Sequence, residues 1–342
     1  MQKKALVISG GGARGSWAAG ALRWLIQDNN QTYDLVVGTS TGALISWAAA
    51  LGKVDLLRDL YTNVSREDCL APRCPLFGYG PVPNLHWALV ARKDSLYRIE
   101  RLEKRLRAAL SEQAFAELKD SGREAAVCVV NLQTSEPEYF NSRDCERERF
   151  ITAVMASSSI PVFMPRKKIE GHEQYWYVDG GVRDLLPLGY AIREGATDIT
   201  AIFLSPKKQG SDKQYSAIYD VGLRTQNVYD SEVGKNDVNM GALITRELVW
   251  RRRLRQQLVS RFGNEQEVEA AFRAASAGFE PMEDEKTHRP FRAVSLRLLQ
   301  PRTDIGPALE FTRDDMQRYE AAGYAWAKDP GNWDVKAEVP AA

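Results

Sequence analysis

Gly38-Thr39-Ser40-Thr41-Gly42 constrains this chain more than any other stretch. Asp34-Leu35-Val36-Val37 before it is apolar and β-branched enough for a short buried strand. Ala43 to Ala50 after it reads as a buried helix. A strand, a serine between two glycines and a helix form the G-x-S-x-G elbow used by nucleophilic serines. Gly38 and Gly42 allow the tight turn and the close approach of helix to strand. The pattern predicts Ser40 at the tip of the turn, its hydroxyl exposed and the helix N-terminus behind it. That positive end favours the alkoxide-like charge of an attacking oxygen. The plainer reading is a turn whose serine is only a helix N-cap.

One strand earlier, Lys4 to Ser9 leads into Gly10-Gly11-Gly12-Ala13-Arg14-Gly15 and a helix from about Ser16 to Gln27. Strand, glycine loop and helix make an anion cradle of backbone N–H groups. Gly10, Gly12 and Gly15 also fit the dinucleotide fingerprint, but that needs an acidic residue at the end of the next strand, where this chain has Gly38-Thr39-Ser40. No Lys-Ser or Lys-Thr follows the glycines, so a P-loop does not fit. A glycine loop just before a serine elbow suits an oxyanion hole better, with Arg14 beside it.

Further along, Val54 to Asn63 and Ser95 to Leu110 read as helices, and Ala125 to Leu132 with Glu138 to Phe140 as a hairpin. The stretch Glu67 to Pro83 is a long apolar loop around Phe77 and Tyr79. A helix from Arg149 runs into Ala156 to Pro165. Gln174 to Val178 then reads as a strand ending in Asp179-Gly180-Gly181, a carboxylate at a strand end. In an open α/β sheet, ligands bind at such ends; the alternative is a simple Asp-Gly turn. Pro187 to Glu194 is helical and Asp198 to Leu204 a strand. Lys207 to Leu258 holds helices whose basic stretch, Arg246 to Arg255, reads as a solvated face in preference to a membrane patch. Glu265 to Ala277 is a helix stopped by Gly278, Phe291 to Leu299 a strand, Thr312 to Ala325 a helix, and the tail looks frayed.

Taken together, Gly10 to Gly15, Gly38 to Gly42, Ala156 to Pro165 and Asp179-Gly180-Gly181 occur in the order found in the patatin-like phospholipase family, which this chain resembles over about residues 4 to 206. The region from about 207 to 290 has no motif to match, and the late strand and helix, about 291 to 326, fit loosely. The resemblance implies a three-layer α/β/α fold with a mostly parallel central sheet, in one domain over residues 1 to 342. It implies Ser40 as nucleophile and Asp179 as general base. Gly10, Gly11 and Gly12 with Arg14 would form the oxyanion hole, supported by Gly15, Gly38, Gly42, Gly180 and Gly181. It implies hydrolysis of fatty-acyl esters through an acyl-enzyme, with no metal or cofactor, and passing contact with a membrane or micelle surface.

Bulk properties agree with a globular enzyme. Hydrophobic residues are 44% and charged residues 27%. Forty-six Lys and Arg against 45 Asp and Glu give a net charge of +1, no global reason to bind nucleic acid. The N-terminal apolar run is too short for a signal peptide, so a cytoplasmic protein, at most peripheral to membranes, is expected. The cysteines at 69, 74, 128 and 145 suggest neither a disulfide framework nor a zinc site. Two rivals remain: an α/β-hydrolase with a Ser40–Asp179–His288 triad, and a non-catalytic nucleotide-binding module using the glycine loop. The first expects several strands before the elbow, where this chain has one besides the elbow's own. The second leaves Ser40 and Asp179 idle.

Overall fold

The computed structural model describes residues 3–72, 94–208, 210, 218–275 and 292–339. Phe77, Tyr79, His86, Gly278 and His288 lie outside them. Among the described residues there are ten strands: β1 (Lys3–Ile8), β2 (Leu35–Thr39), β3 (Ala71–Pro72), β4 (Tyr97–Arg98), β5 (Glu124–Asn131), β6 (Pro137–Asn141), β7 (Tyr177–Asp179), β8 (Ala196–Ile202), β9 (Ser295–Leu299) and β10 (Trp333–Ala337). The main sheet runs β10-β9-β8-β1-β2-β5-β6, with β7 also paired to β5. The pairs β9–β8, β8–β1, β1–β2 and β2–β5 are parallel, whereas β6, β7 and β10 are antiparallel to their partners.

Period-two alternation builds two cores on the two faces of this sheet. Leu6, Ile8 and Val36 join one, with the helices Gly15–Leu22, Thr41–Ala50 and Arg313–Lys328. Ala5, Val7, Leu35 and Val37 join the other, with the helix Leu188–Arg193 and Val238 of a helix spanning Ile218–Phe262. The fold is therefore the three-layer α/β/α arrangement expected, helices covering both faces of a mostly parallel sheet. The helix Thr41–Ala50 is buried nearly all round, which explains why its sequence shows no polar face.

Several elements differ from the sequence expectation. The loop expected from Glu67 opens with a short helix, Arg66–Cys69, and strand β3, and a further helix spans Glu112–Asp120. The helix expected from Ser95 begins at Glu100, because Leu96 and Tyr97 donate their N–H groups to the carbonyls of Val162 and Phe163 at 2.9 and 2.8 Å. The strand expected from Gln174 is only Tyr177–Asp179; turns closed by His172 N–H to Ile169 O and Tyr175 N–H to His172 O precede it. His172 lies in these turns. The helices expected between 207 and 258 are one helix of 45 residues, Ile218–Phe262. The late helix extends to Lys328, with Thr312 as its cap. The tail is not frayed through Ala337: residues 333–337 are strand β10, and Trp333 donates its indole N–H to Ala327 O at 2.8 Å.

Candidate active site

The elbow forms because its glycines permit it. A Cβ on Gly38 would meet Gly42 backbone at 2.2 Å, and one on Gly42 would meet Ile8 O at 2.2 Å. No side chain fits such contacts, so helix and strand close on each other only with glycine at both positions. Ser40, between them, has φ 56° and ψ −121°. A non-glycine residue held there costs of order 1–3 kcal/mol. Three serines hold the site, two of them on the strained residue itself. Ser40 donates its N–H to Ser157 Oγ at 3.0 Å, and Ser158 Oγ donates to Ser40 O at 3.2 Å. The third, Ser159, accepts the Asp179 N–H on its carbonyl at 2.9 Å. The segment Ala156 to Pro165 thus fastens both candidate residues by their backbones.

Ser40 occupies the N-cap position of its helix, yet its side chain makes no capping hydrogen bond. The simple N-cap reading fails on that point. The hydroxyl is not at an exposed tip either: Ser40 is 7% exposed and lies on the walls of two adjoining cavities.

Asp179 arrives by an unexpected route. It ends not a parallel strand but an antiparallel one. β5 uses one side for β6, from Ala126 to Val130, so β7 pairs on the other side, in the lane of β2. Thr39 is opposite Cys128 and Asp179 is opposite Val129, the next residue. β2 and β7 therefore meet head to head, and the residue after Thr39 comes level with Asp179. Asp179 Oδ1 accepts the Gly181 N–H at 2.8 Å, so the Asp-Gly turn is real. Oδ2 is buried and takes no hydrogen bond of good geometry. Burial raises the Asp179 pKa to about 7; the Gly181 N–H and the nearby Ser40 hydroxyl oppose that rise, and Asp230 adds to it.

The glycine loop borders Ser40: a Cβ on Gly10 would lie 3.1 Å from Ser40 Cβ. Gly10 spends its own N–H on Leu185 O at 3.3 Å, and Ala13 spends its on Ala308 O at 2.8 Å. The Gly11 and Gly12 N–H groups donate to no described residue. Gly12 has φ 58°, and a Cβ there would meet Ala308 O at 2.3 Å, so the loop needs glycine at this point. Arg14 is 7% exposed, and burial lowers its pKa, against the field of Asp304. Its guanidinium donates to Gly306 O at 2.9 Å, Asn227 Oδ1 at 3.2 Å and Asp304 Oδ1 at 3.3 Å. All three nitrogens face the C-terminal part of the chain.

The two cavities differ in chemistry. One, of about 120 Å³, is lined by side chains such as Leu44, Trp47, Leu60, Leu106, Met164 and Phe311. The other, of about 40 Å³, is lined by Gly10 to Gly12, Arg14, Asp179, Gln226, Asn227 and Asp230. Burial raises the Asp230 carboxyl to about 7, opposed by the Gln226 hydrogen bond and by Arg14. Gln226, Asn227 and Asp230 carry no motif. On sequence they are polar residues of a helix, and only the packing of that helix over the sheet brings them here. A Cβ on Gly15 would meet Thr41 Oγ1 at 2.2 Å, and one on Gly181 would meet Leu185 Cδ1 at 2.9 Å. A Cβ on Gly180 would meet Cys128 O at 2.4 Å, so the backbone after Asp179 lies against β5.

A family model described as patatin-like phospholipase matches residues 6–192. The Escherichia coli K12 protein YjjU is 26% identical over 205 residues, 60% of this chain and 52% of YjjU. A crystal structure of VipD from Legionella pneumophila aligns with a TM-score of 0.39 at 14% identity, over 95% of this chain and 66% of VipD. The chain thus spans about half the length of YjjU. Among the described residues, no helix is long and apolar enough to cross a membrane.

Proposed function

Because this chain belongs to the patatin-like phospholipase family, a family of lipid acyl hydrolases, we propose that it cleaves fatty-acyl esters with Ser40 as nucleophile and Asp179 as general base. The observation that carries this is the strained backbone of Ser40, its hydroxyl uncommitted to capping and its position level with Asp179. The apolar cavity takes the acyl chain, because its walls are hydrocarbon side chains such as Leu44, Leu60, Leu106 and Met164. The polar cavity takes the alcohol side. Ser40 Oγ attacks the ester carbonyl carbon and its proton passes to Asp179 Oδ2, whose raised pKa makes a carboxylate a competent base near neutral pH. The oxyanion forms against the N–H groups of Gly11 and Gly12, while Gly10 holds the loop through Leu185. Collapse expels the alcohol with the proton from Asp179. Water then attacks the acyl-Ser40 ester, gives a proton to Asp179, and releases the fatty acid as Ser40 regains that proton. Arg14 acts as a positioning residue, tying the glycine loop to residues 304–306. The chemistry calls on no metal or cofactor. We read the chain as one domain, since β9 and β10 complete the sheet that β1 begins.

The test is a fluorescent acyl-ester assay with a fluorophosphonate probe. Wild type should turn over and label at Ser40, and Ser40→Ala should do neither while melting as a folded protein. Label on another serine with Ser40 untouched would remove the assignment.

A further inference from the structure

The described residues include ten exposed large hydrophobic side chains, and seven of them lie on the helix Ile218–Phe262: Val221, Val228, Tyr229, Met240, Leu243, Trp250 and Phe262. Lone exposed apolar residues need no explanation, but a concentration on one element does. In the C-terminal half the pattern is regular. Met240, Leu243, Trp250, Leu254 and Leu258 follow at intervals of 3, 7, 4 and 4 residues, the spacing of one helical face. Leu254 and Leu258 are half-buried; Leu243 is 62% exposed and Trp250 57%.

Charge surrounds this stripe. From Met240 to Phe262 the chain has six arginines and one glutamate. At about 100° per residue, Arg246 and Arg253 border one side of the stripe and Arg251 and Arg255 the other. Arg251 pairs with Glu247 at 2.7 Å, and Arg255 pairs with Glu269. Arg246 donates to Lys336 O at 3.4 Å. Arg253 and Arg261, the latter within the stripe itself, are exposed and make no ion pair with a described residue, whereas Arg252 falls on the opposite face. An exposed apolar stripe between rows of arginines is the pattern of a helix lying in a membrane interface: apolar groups enter the acyl boundary while guanidinium groups stay at headgroup level.

We infer that the C-terminal half of the helix Ile218–Phe262 is a docking surface for an anionic lipid bilayer. Charge complementarity selects this occupant. A second copy seated on the same face would bring two arginine rows together, like charges opposed. The same helix carries Gln226, Asn227 and Asp230 on the wall of the polar cavity. Asp230 and Trp250 are about 30 Å apart along its axis. Docking would thus hold the site beside a lipid surface. For its purpose the inference rests on the lipid-hydrolase reading; for the binding itself it does not.

The test is co-sedimentation of the full chain with vesicles of phosphatidylcholine, alone or mixed with phosphatidylglycerol. Turnover of a soluble short-chain ester is measured alongside. Wild type should bind the mixed vesicles and leave the neutral ones, and added salt should release it. Arg253→Gln with Arg261→Gln should weaken binding roughly 25-fold, at about fivefold for each basic residue near an anionic surface. Trp250→Ser with Leu243→Ser should weaken it on the order of tenfold or more. Both double variants should keep wild-type turnover of the soluble ester. Equal binding to neutral vesicles, or unchanged binding in both variants, overturns the inference. So does a dimer in solution that Trp250→Ser dissociates, which would make a second copy the occupant. A protein that binds vesicles but cleaves no ester refutes the catalytic reading and leaves this one standing.

Discussion

The chain up to residue 206 and the chain after it contribute to the same site in different ways. The first part supplies groups whose position is fixed by backbone: a serine in a forced turn, a carboxylate at a strand junction, and N–H groups in a glycine loop. The second supplies side-chain walls: Gln226, Asn227 and Asp230 from one helix, Ala308 and Leu309 from a loop. Backbone demands leave sequence marks, because only glycine fits where a Cβ would be 2.2 Å from another atom. Walls leave few, because many residues can line a cavity. The difference separates changes that should abolish turnover from changes that should only reduce it.

The largest effect is expected at Ser40. Ser40→Ala should remove turnover to the assay limit, a loss that reaches about 10⁶ for serine nucleophiles. Ser40→Gly should be equally inactive but should melt higher than Ser40→Ala. Its φ of 56° suits glycine, and relief of strain is worth of order 1–3 kcal/mol. Differential scanning calorimetry on the pair tests this. Equal melting temperatures would mean that the elbow stores no strain.

Asp179→Asn comes next, with an expected loss of roughly 10²–10⁴, because an amide takes no proton. In wild type the base must be ionised, so turnover of a soluble ester should fall below pH of about 7. The stability consequence has a definite sign. A carboxyl whose folded pKa is raised binds its proton more tightly in the native state. Its contribution therefore favours the fold below pH of about 4 and turns against it as pH rises to about 7. Asp179→Asn should remove that decline. Denaturant melts at pH 5 and pH 8 would show the wild type losing more stability across this interval than the variant. A variant that declines as steeply would place the Asp179 carboxyl in water.

Ser157 sharpens the comparison, because it belongs to the first part yet never touches substrate in this reading. Its hydroxyl accepts the buried Ser40 N–H. Ser157→Ala leaves that donor unpaired, at a cost of about 1–3 kcal/mol. Turnover should drop roughly tenfold to a hundredfold through misplacement of Ser40. A fall in kcat with KM little changed, measured on a soluble ester, is the expected signature. Ser157→Thr, which keeps the hydroxyl, should recover most of it.

Arg14 joins the two parts and should cost less in chemistry than in stability. Its three nitrogens end on Gly306, Asn227 and Asp304, so Arg14→Ala should free the 304–306 loop from the glycine loop. A loss of about 1–3 kcal/mol is expected for removing the hydrogen bonds of a buried guanidinium, the Asp304 carboxylate itself being largely exposed. Turnover should fall with kcat more affected than KM, and Arg14→Lys should not restore it, since a single ammonium cannot replace the planar fork. Wild-type kinetics and melting in Arg14→Ala would make Arg14 a bystander.

Both glycine motifs, the elbow, the hairpin and the carboxylate were legible in the sequence because each needs residues that nothing else replaces. Three things were not. The antiparallel approach of β7 depends on which side of β5 is free, a question of sheet pairing settled far from residues 177–179. The unbroken 45-residue helix has interior polar positions that resemble loop, and the burial of Ser231, Val238, Ala242 and Thr245 shows which face is inward. Strand β10 has five residues, one of them Lys336, and exists because β9 offers it an edge.

The smallest effect is expected at His172, and it separates this site from a histidine-based triad. Turns, not an extended strand, place His172 against Tyr177, whose OH lies 2.9 Å from Nδ1. Arg149 Nη2, which can only donate, lies 2.9 Å from Nε2, so Nε2 is an acceptor and the ring proton sits on Nδ1. Nδ1–H then donates to the Tyr177 oxygen, whose own proton goes to Glu138 Oε2 at 2.8 Å. Each ring nitrogen is thus committed, and neither can take a proton from a serine. His172 also lines neither cavity that contains Ser40. His172→Ala should cost about 1–2 kcal/mol of stability from the broken chain of hydrogen bonds. Turnover should stay within about tenfold of wild type, far from the loss that follows removal of a general base. If His172→Ala were as inactive as Asp179→Asn while still folded, the base would come from β7's entry turn instead of its end, and the head-to-head meeting of β2 and β7 would have no catalytic meaning.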